Sequence, residues 1–184
     1  VSNGNGNNVS ANDNSKFQKS LRVTATPLST PTDKICLGID GLWSTDAGIA
    51  KSDFGLTGNL FAGTREMWGV DAQWAHGPLG ISGELLHGTF RPDDAVPYAK
   101  FDAQGWQATA AYFIVPARFQ ALLRHEEFDP NTALSGNTIR INTIGLNYFI
   151  KGDDLKLMID YVNGVVPGSN FDGGRLLTRF QIAY

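Results

Sequence analysis

The sequence lacks the features of several protein classes. It contains one cysteine, Cys36, which excludes an internal disulfide framework and a cysteine-based zinc site. No stretch approaches the roughly 18 uninterrupted apolar residues of a transmembrane helix. The net charge of −3 includes no basic excess, so it gives no support for nucleic acid as a partner. The segment Val1–Ser15 has neither the basic start nor the apolar core of a signal peptide.

Helical periodicity is also nearly absent, and alternation of apolar and polar residues takes its place. In Arg175–Tyr184, for example, Leu176, Phe180 and Ile182 fall on one side of an extended chain and Arg179 on the other. Such alternation is typical of β-strands whose two faces meet different surroundings. Eight further segments alternate in the same way: Phe17–Ala25, Ile35–Ser44, Met67–Trp74, Leu79–Leu86, Trp106–Ile114, Phe119–Arg124, Thr143–Ile150 and Leu155–Val162.

The connections between these segments alternate in length. The short ones are Leu28–Lys34, His76–Pro78, Val115–Ala117 and Lys151–Asp154. The long, polar ones are Thr45–Thr64, Arg91–Asp102, Asp129–Gly136 and Asn163–Gly174. Transmembrane β-barrels combine tight periplasmic turns with longer extracellular loops. The sequence therefore predicts an all-β protein, an antiparallel transmembrane β-barrel of about nine strands.

The same pattern sets the direction and the division of the chain. The last strand would end in the periplasm, and the first would descend from outside. We therefore expect residues 1–15 to be an extracellular loop or disordered segment and residues 16–184 to be barrel. An odd number of strands starting outside indicates the C-terminal part of a longer barrel, because bacterial barrels have even strand numbers. The alternative is one more strand within Lys51–Gly63.

Ile139 and Ile141 alternate out of phase with Ile144 and Leu146, which follow them. Two interpretations are open. Either a β-bulge lies near residues 142–143, or the upper part of the strand projects beyond the membrane.

The alternation divides the side chains between water and lipid, because one face of a membrane barrel meets each. Arg124 and Glu126 lie two residues apart and could pair on the water side. The candidate lumen-facing residues are charged: Arg22, Asp40, Arg65, Asp71, Glu84, Arg124, Glu126, Lys156, Asp160 and Arg179. The candidates for the interfacial aromatic girdles are Trp43, Trp68, Trp74, Trp106, Tyr112, Tyr148, Tyr161 and Tyr184. Five acids against five bases do not give the net positive lumen that anion selectivity requires.

No pattern for catalysis, a metal or a cofactor accompanies these residues. His76, His87 and His125 have no acidic or cysteine partner at metal-ligand spacing, so we expect no metal site. No nucleophile elbow supports an enzyme. The glycine-rich segments do not follow strands into helices, which argues against a phosphate-binding nucleotide loop.

Three segments resemble a known family. Gly105–Phe113, Phe119–Pro130 and Thr143–Leu157 are similar to the C-terminal strands of the phosphate-selective porin O and P family. Their order is similar too: a GWxxxxxYF strand, a strand ending RxExFD, a TxGLNY strand, a short turn, LKLxxxY and a terminal aromatic. The resemblance covers about Lys16 to Tyr184.

The resemblance implies the C-terminal part of a barrel of about sixteen strands in a Gram-negative outer membrane. It implies a homotrimer surrounded by outer-membrane lipid and lipopolysaccharide, whose last strand is read by the barrel-assembly machinery. It also implies passive diffusion of small hydrophilic solutes, including anions such as phosphate. The alternative interpretation is a soluble all-β carbohydrate-binding or structural module, in which one face of each strand would be buried and no aromatic belt would form.

Overall fold

The computed structural model describes residues 15–50, 60–93, 100–167 and 174–183, and omits the side chains of 47–50 and 60. Nine antiparallel strands form one sheet, in which each strand pairs with the next along the chain. They are β1 (Lys19–Ser29), β2 (Asp33–Ala50), β3 (Leu60–His76), β4 (Leu79–Pro92), β5 (Phe101–Val115), β6 (Phe119–Asp129), β7 (Ile139–Lys151), β8 (Leu155–Val165) and β9 (Arg175–Ile182).

The sheet is open, and β1 and β9 form its two edges. The predicted all-β antiparallel fold is confirmed. Within the described ranges, no helix is long and apolar enough to cross a membrane. The predicted outer segment 1–15 lies outside the described residues, except for Ser15.

The connections alternate between two lengths, as the sequence predicted. Four at one end of the sheet have two or three residues: 30–32, 77–78, 116–118 and 152–154. Four at the other end have eight or nine: 51–59, 93–100, 130–138 and 166–174. Gly77 and Gly152 take left-handed φ angles of 52° and 53° in two of the short turns. Glycine adopts such angles without steric cost, which suits tight turns between antiparallel strands.

The strands extend further toward the long connections than the sequence predicted. β2 continues to Ala50 and β3 begins at Leu60, so both flanks of the loop expected over Thr45–Thr64 are strand. Backbone hydrogen bonds between strands form whatever the side chains are. The alternation of apolar and polar residues therefore stops before the strand itself ends. For the extra strand considered within Lys51–Gly63, residues 60–63 belong to β3 and residues 51–59 lie outside the described residues.

The out-of-phase isoleucines of β7 do not mark a bulge. Pairing with β6 runs without interruption from Ile139 opposite Phe128 to Tyr148 opposite Phe119. Pairing with β8 is likewise continuous past residues 142–143. Ile139 and Ile141 therefore point to the face opposite that of Ile144, and the bulge interpretation is wrong. The other interpretation, that the upper part of the strand projects beyond the membrane, stays a prediction.

The two faces of the sheet differ in exposure as well as composition. On β5, Gln107, Thr109 and Ala111 are half-buried, whereas Ala108 and Ala110 are exposed. We call the face of Gln107 the inner face and the face of Ala108 the outer face. Side chains converge on the concave side of a curved sheet and diverge on its convex side. We therefore infer that the inner face is the concave one.

The most deeply buried apolar side chains lie on the inner face, close to the long connections. Among the described residues they are Phe61, Phe90, Phe101 and Ala103. The rings of Phe90 and Phe101 stack with their centroids 4.8 Å apart, and Phe61 meets Phe90 edge to face at 5.8 Å. Both geometries add to the stabilisation from burial alone.

Candidate functional site

The ten charged residues predicted to face a lumen all lie on the inner face. Residues directly opposed in an antiparallel sheet point to the same side. Asp71 pairs with Glu84, and Gln107 pairs with both Glu84 and Glu126, which links β3 to β6. The complete set is Arg22, Asp40, Arg65, Asp71, Glu84, Arg124, Glu126, Lys156, Asp160 and Arg179. Their role in lining a pore stays a prediction.

Arg22 on β1 connects three strands across the inner face. Its Nη1 donates to Oδ2 of Asp40 on β2 at 2.9 Å, and its Nη2 donates to Oδ2 of Asp71 on β3 at 2.5 Å. The second bond passes over Gly38 on β2, where a Cβ atom would overlap both charged groups. The missing side chain at Gly38 therefore permits the contact between β1 and β3.

A row of acidic and amide side chains crosses the middle of the inner face. It runs from Asp71 through Glu84 and Gln107 to Glu126 on four successive strands. Arg124 donates from Nη2 to Oε1 of Glu126 at 2.7 Å, so these two residues form the pair that their spacing suggested. In the part of the chain that the structure describes, no side chain forms a hydrogen bond or ion pair with Glu84.

The inner face carries two more ion pairs nearer its ends. Towards the long connections, Arg65 approaches the fully buried carboxylate of Asp46, with Nε 3.3 Å from Oδ2, and Ser44 donates to that carboxylate at 2.7 Å. At a short turn, Nζ of Lys156 donates to Asp153 at 2.8 Å.

Two further charged residues of the inner face, Asp160 and Arg179, form no side-chain hydrogen bond or ion pair with the described residues. Asp160 pairs with Gly145 on β7, and its carboxylate extends over the space that a side chain at Gly145 would fill.

The outer face carries the aromatic residues expected at membrane interfaces. Seven of the eight predicted girdle residues lie there with 40–51% of their surface exposed: Trp43, Trp68, Trp74, Trp106, Tyr112, Tyr148 and Tyr161. The eighth, Tyr184, lies outside the described residues.

These aromatic residues form two lines across the outer face. The upper aromatic line, near the long connections, comprises Trp43, Trp68, Trp106 and Tyr161. The lower aromatic line, near the short turns, comprises Trp74, Tyr112 and Tyr148. On β3 and on β5 the two lines are six residues apart, and the apolar residues Val70, Ala72, Ala108 and Ala110 lie between them.

Both lines slant against the rows of paired residues. Registered pairs lead from Tyr161 on β8 back to Trp74 on β3. Trp43 on β2 belongs to the same upper line as Tyr161, but it pairs with Glu66 on β3, which lies eight residues before Trp74. The upper line thus shifts by eight residues over six strands, about 1.3 residues per strand. Strands tilted in a barrel give such a stagger when the aromatic residues stay at one depth.

Every histidine of the chain lies on the outer face between a tryptophan ring and a carboxylate. In one set, the ring of His125 lies 5.0 Å from that of Trp106, and its Nε2 lies 3.5 Å from Oε1 of Glu127. The other two sets are Trp68–His87–Asp102 and Trp74–His76–Asp33. Across the described ranges, no group of three or more histidine, cysteine, aspartate or glutamate residues could hold a metal ion.

The sequence matches the profile of the phosphate-selective porin O and P family over residues 14–181 of its 184. The chain belongs to this porin family. The resemblance noted in the sequence is therefore confirmed, and so is the location in the Gram-negative outer membrane, where members of the family reside. No curated protein matches the chain significantly.

Membership of a porin family explains why the two faces differ. An outer-membrane location excludes the soluble alternative, so the exposed aromatic and aliphatic side chains of the outer face suit contact with lipid. The backbone groups of β2 to β8 bond to a neighbouring strand on each side, as a strand inside lipid requires, and β1 and β9 have a neighbouring strand on one side. The family is one of channel proteins and not one of enzymes.

Sequence analysis missed the phenylalanines of the inner face in this porin. Phe90 and Phe101 flank the same long connection and pair directly, and Phe61 adjoins them. Their positions on the two sides of one connection were a usable signal. Alternation does not single them out, because apolar residues on the inner face run against the pattern that identifies the strands.

Proposed function

We propose that this chain forms part of the wall of a water-filled pore through which small hydrophilic solutes cross the outer membrane by passive diffusion. The observation that carries the proposal is the separation of the two faces. Charged side chains such as Arg22, Glu84 and Arg124 share the inner face, and the aromatic lines lie on the outer face. Diffusion needs no cofactor and no catalytic residue, so the polar inner side chains are the working parts.

The proposal is a general diffusion pathway in which anions such as phosphate are among the solutes. The family description names phosphate. Selective passage of anions requires a net positive wall or a ring of arginine and lysine residues. The ten predicted lumen charges are evenly divided between acids and bases. They give no support for a phosphate-specific pore.

The proposed assembly is a homotrimer embedded in lipid and lipopolysaccharide. Its support is the family membership together with the apolar outer face. We also propose that the barrel-assembly machinery reads segment Arg175–Tyr184. Outward-facing Leu176, Phe180 and Ile182 on β9, which are 58–70% exposed, would supply the apolar pattern for that recognition.

Liposome swelling tests the proposed function. The intact outer-membrane protein is refolded into liposomes, which are diluted into isosmotic solutions of sugars of increasing size. We expect swelling that is fast with a pentose and slows as the sugar grows, because a water-filled pore sieves by size. Protein-free liposomes and liposomes with heat-unfolded protein are the controls. Absence of swelling with the pentose, for protein shown to be folded by its heat-modifiable gel mobility, would contradict the proposal.

A further inference from the structure

A hollow opens on the inner face across β4 to β7. Its floor is Gly105 on β5, which pairs with Leu86 on β4 and with Phe128 on β6. A Cβ atom at Gly105 would lie 3.2 Å from the ring of Phe128, so any side chain at this position would begin to fill the hollow. The hollow has a volume of about 210 Å³. Pockets for drug-sized ligands have roughly 300–1,000 Å³, so this one suits a single small solute.

The side of the hollow nearer the long connections is apolar. Leu86 and Phe128 are 38% and 41% exposed there, and the half-buried Ile139 and Ile141 on β7 extend the apolar surface. Lipid accounts for exposed apolar side chains on the outer face, but these four lie on the face that the proposed pore fills with water. Contact with a solute that has an apolar surface would remove them from water. The isoleucines that alternate out of phase with Ile144 thus have a place in this hollow.

The side nearer the short turns holds hydrogen-bond donors and acceptors close together. Glu84 and Gln107 are directly opposed, and Oε1 of Gln107 accepts from Thr109 at 3.1 Å. Arg124 donates to Glu126 through Nη2 at 2.7 Å. The Glu84 carboxylate, the Gln107 amide nitrogen and the other N–H groups of Arg124 have no side-chain partner among the described residues. They are therefore available to a solute.

The geometry points to a subsite for neutral, cyclic, polyhydroxylated solutes, of which a monosaccharide is the simplest. The inference rests on the pore proposed above and adds a solute class to it. A hydroxyl group both donates and accepts, so the hydroxyls of one sugar can bond to the carboxylate, the amide and the guanidinium together. The C–H groups on a face of the sugar ring would pack against Leu86 and Phe128. Because the solute is neutral, the subsite sets no charge preference, and phosphate can pass through the same pore.

Conductance of the intact protein in planar bilayers tests the subsite as D-glucose is added. Potassium chloride at about 1 M carries the current and screens the charges of the wall. We expect a partial, saturable fall in conductance, half-complete at a glucose concentration on the order of 10–100 mM, because so small a solute makes few contacts. D-sorbitol is the matched solute, since it has similar size and hydroxyl groups but an open chain. It should give only the linear fall that higher viscosity causes.

Two variants remove the two sides of the hollow in turn. Phe128→Ala removes apolar contact and should raise the half-saturating glucose concentration about three- to ten-fold. Gln107→Met keeps the length of the side chain but removes the amide, and it should raise that concentration about two- to ten-fold. Both variants are compared with the parent in protein that is shown to be folded by its heat-modifiable gel mobility.

Phe113→Ala is the matched control. Phe113 lies on the inner face of β5, eight residues beyond Gly105 towards the short turns, where it contacts Phe149 outside the hollow. This variant should leave the half-saturating concentration unchanged. The subsite is overturned, while the pore itself stands, if glucose and sorbitol lower the conductance equally, if Phe128→Ala or Gln107→Met has no effect, or if Phe113→Ala has the same effect as Phe128→Ala. Absence of any current from folded, inserted protein overturns the pore and the subsite together.

Discussion

Ala110 and Ala111 are neighbours on β5 that face opposite sides of the sheet, and replacing each with arginine tests which side meets lipid. Ala110 is exposed on the outer face, where its registered partners are Ile81 and Leu123. Ala111 is half-buried on the inner face, beside Gly80. At Gly80 an added Cβ would have no atom nearer than 4.0 Å, so an arginine side chain has room there.

The expected magnitude follows from the depth of Ala110. It lies four residues from Trp106 and two from Tyr112 on the same strand. At ~3.4 Å per residue those distances are about 14 Å and about 7 Å along the strand. An arginine at the bilayer midplane of a barrel destabilises it by about 2–4 kcal/mol, and less nearer an interface. We therefore expect Ala110→Arg to lower the free energy of unfolding by about 2–3 kcal/mol, and Ala111→Arg to change it by less than about 0.5 kcal/mol.

The free energy of unfolding is measured by urea titration of the intact protein in phosphatidylcholine vesicles, followed by tryptophan fluorescence. Ala110→Leu is the control for added bulk, and it should not destabilise the protein because it keeps the outer face apolar. Equal losses for Ala110→Arg and Ala111→Arg would refute the assignment of the faces. A larger loss for Ala111→Arg would show that the faces are reversed.

Two further predictions concern the inner face. Phe90→Ala should lower the free energy of unfolding by about 3–5 kcal/mol, because Phe90 is 3% exposed and contacts two other phenylalanine rings. The control is Leu134→Ala, at a site 53% exposed in a long connection, which should lower it by less than about 0.5 kcal/mol. Similar losses for the two variants would contradict the packing described. Cys36 lies half-buried on the inner face opposite Gln73, so a charged, membrane-impermeant thiosulfonate should label it in the folded, membrane-inserted protein. Cys36→Ser abolishes the signal if the labelling is specific, whereas protection of Cys36 until the protein unfolds would place it away from water.

The sequence predicted the strands and the division of their faces because lipid imposes a strict alternation on them. Within the band between the aromatic lines, lipid requires a residue such as Val70 to be apolar but leaves its neighbour Asp71 free to be polar, so the pattern is strong. Beyond that band both faces meet water or other parts of the protein. Alternation therefore could not predict that β2 continues to Ala50 and β3 begins at Leu60, or that Ile139 lies on the inner face.

The contacts of the inner face depend on register, which one sequence does not supply. Arg22 lies 49 residues from Asp71 in the chain, and their bond requires β2 to lie between them with Gly38 at the crossing. By alternation alone, Arg22, Asp71 and Glu84 are equivalent candidates for lining a lumen. Only the pairing of strands shows that Arg22 is occupied by two carboxylates while Glu84 has no described partner.

Single-channel recording from the intact protein in planar lipid bilayers tests the central claim, that the inner face lines a water-filled pathway across the outer membrane. The account predicts stepwise current increases whose size is proportional to voltage, as in a permanently open aqueous pore. It also predicts that labelling Cys36 with a bulky thiosulfonate reduces the step size, and that the Cys36→Ser protein is unaffected. Folded, membrane-inserted protein that gives no current steps would contradict the claim.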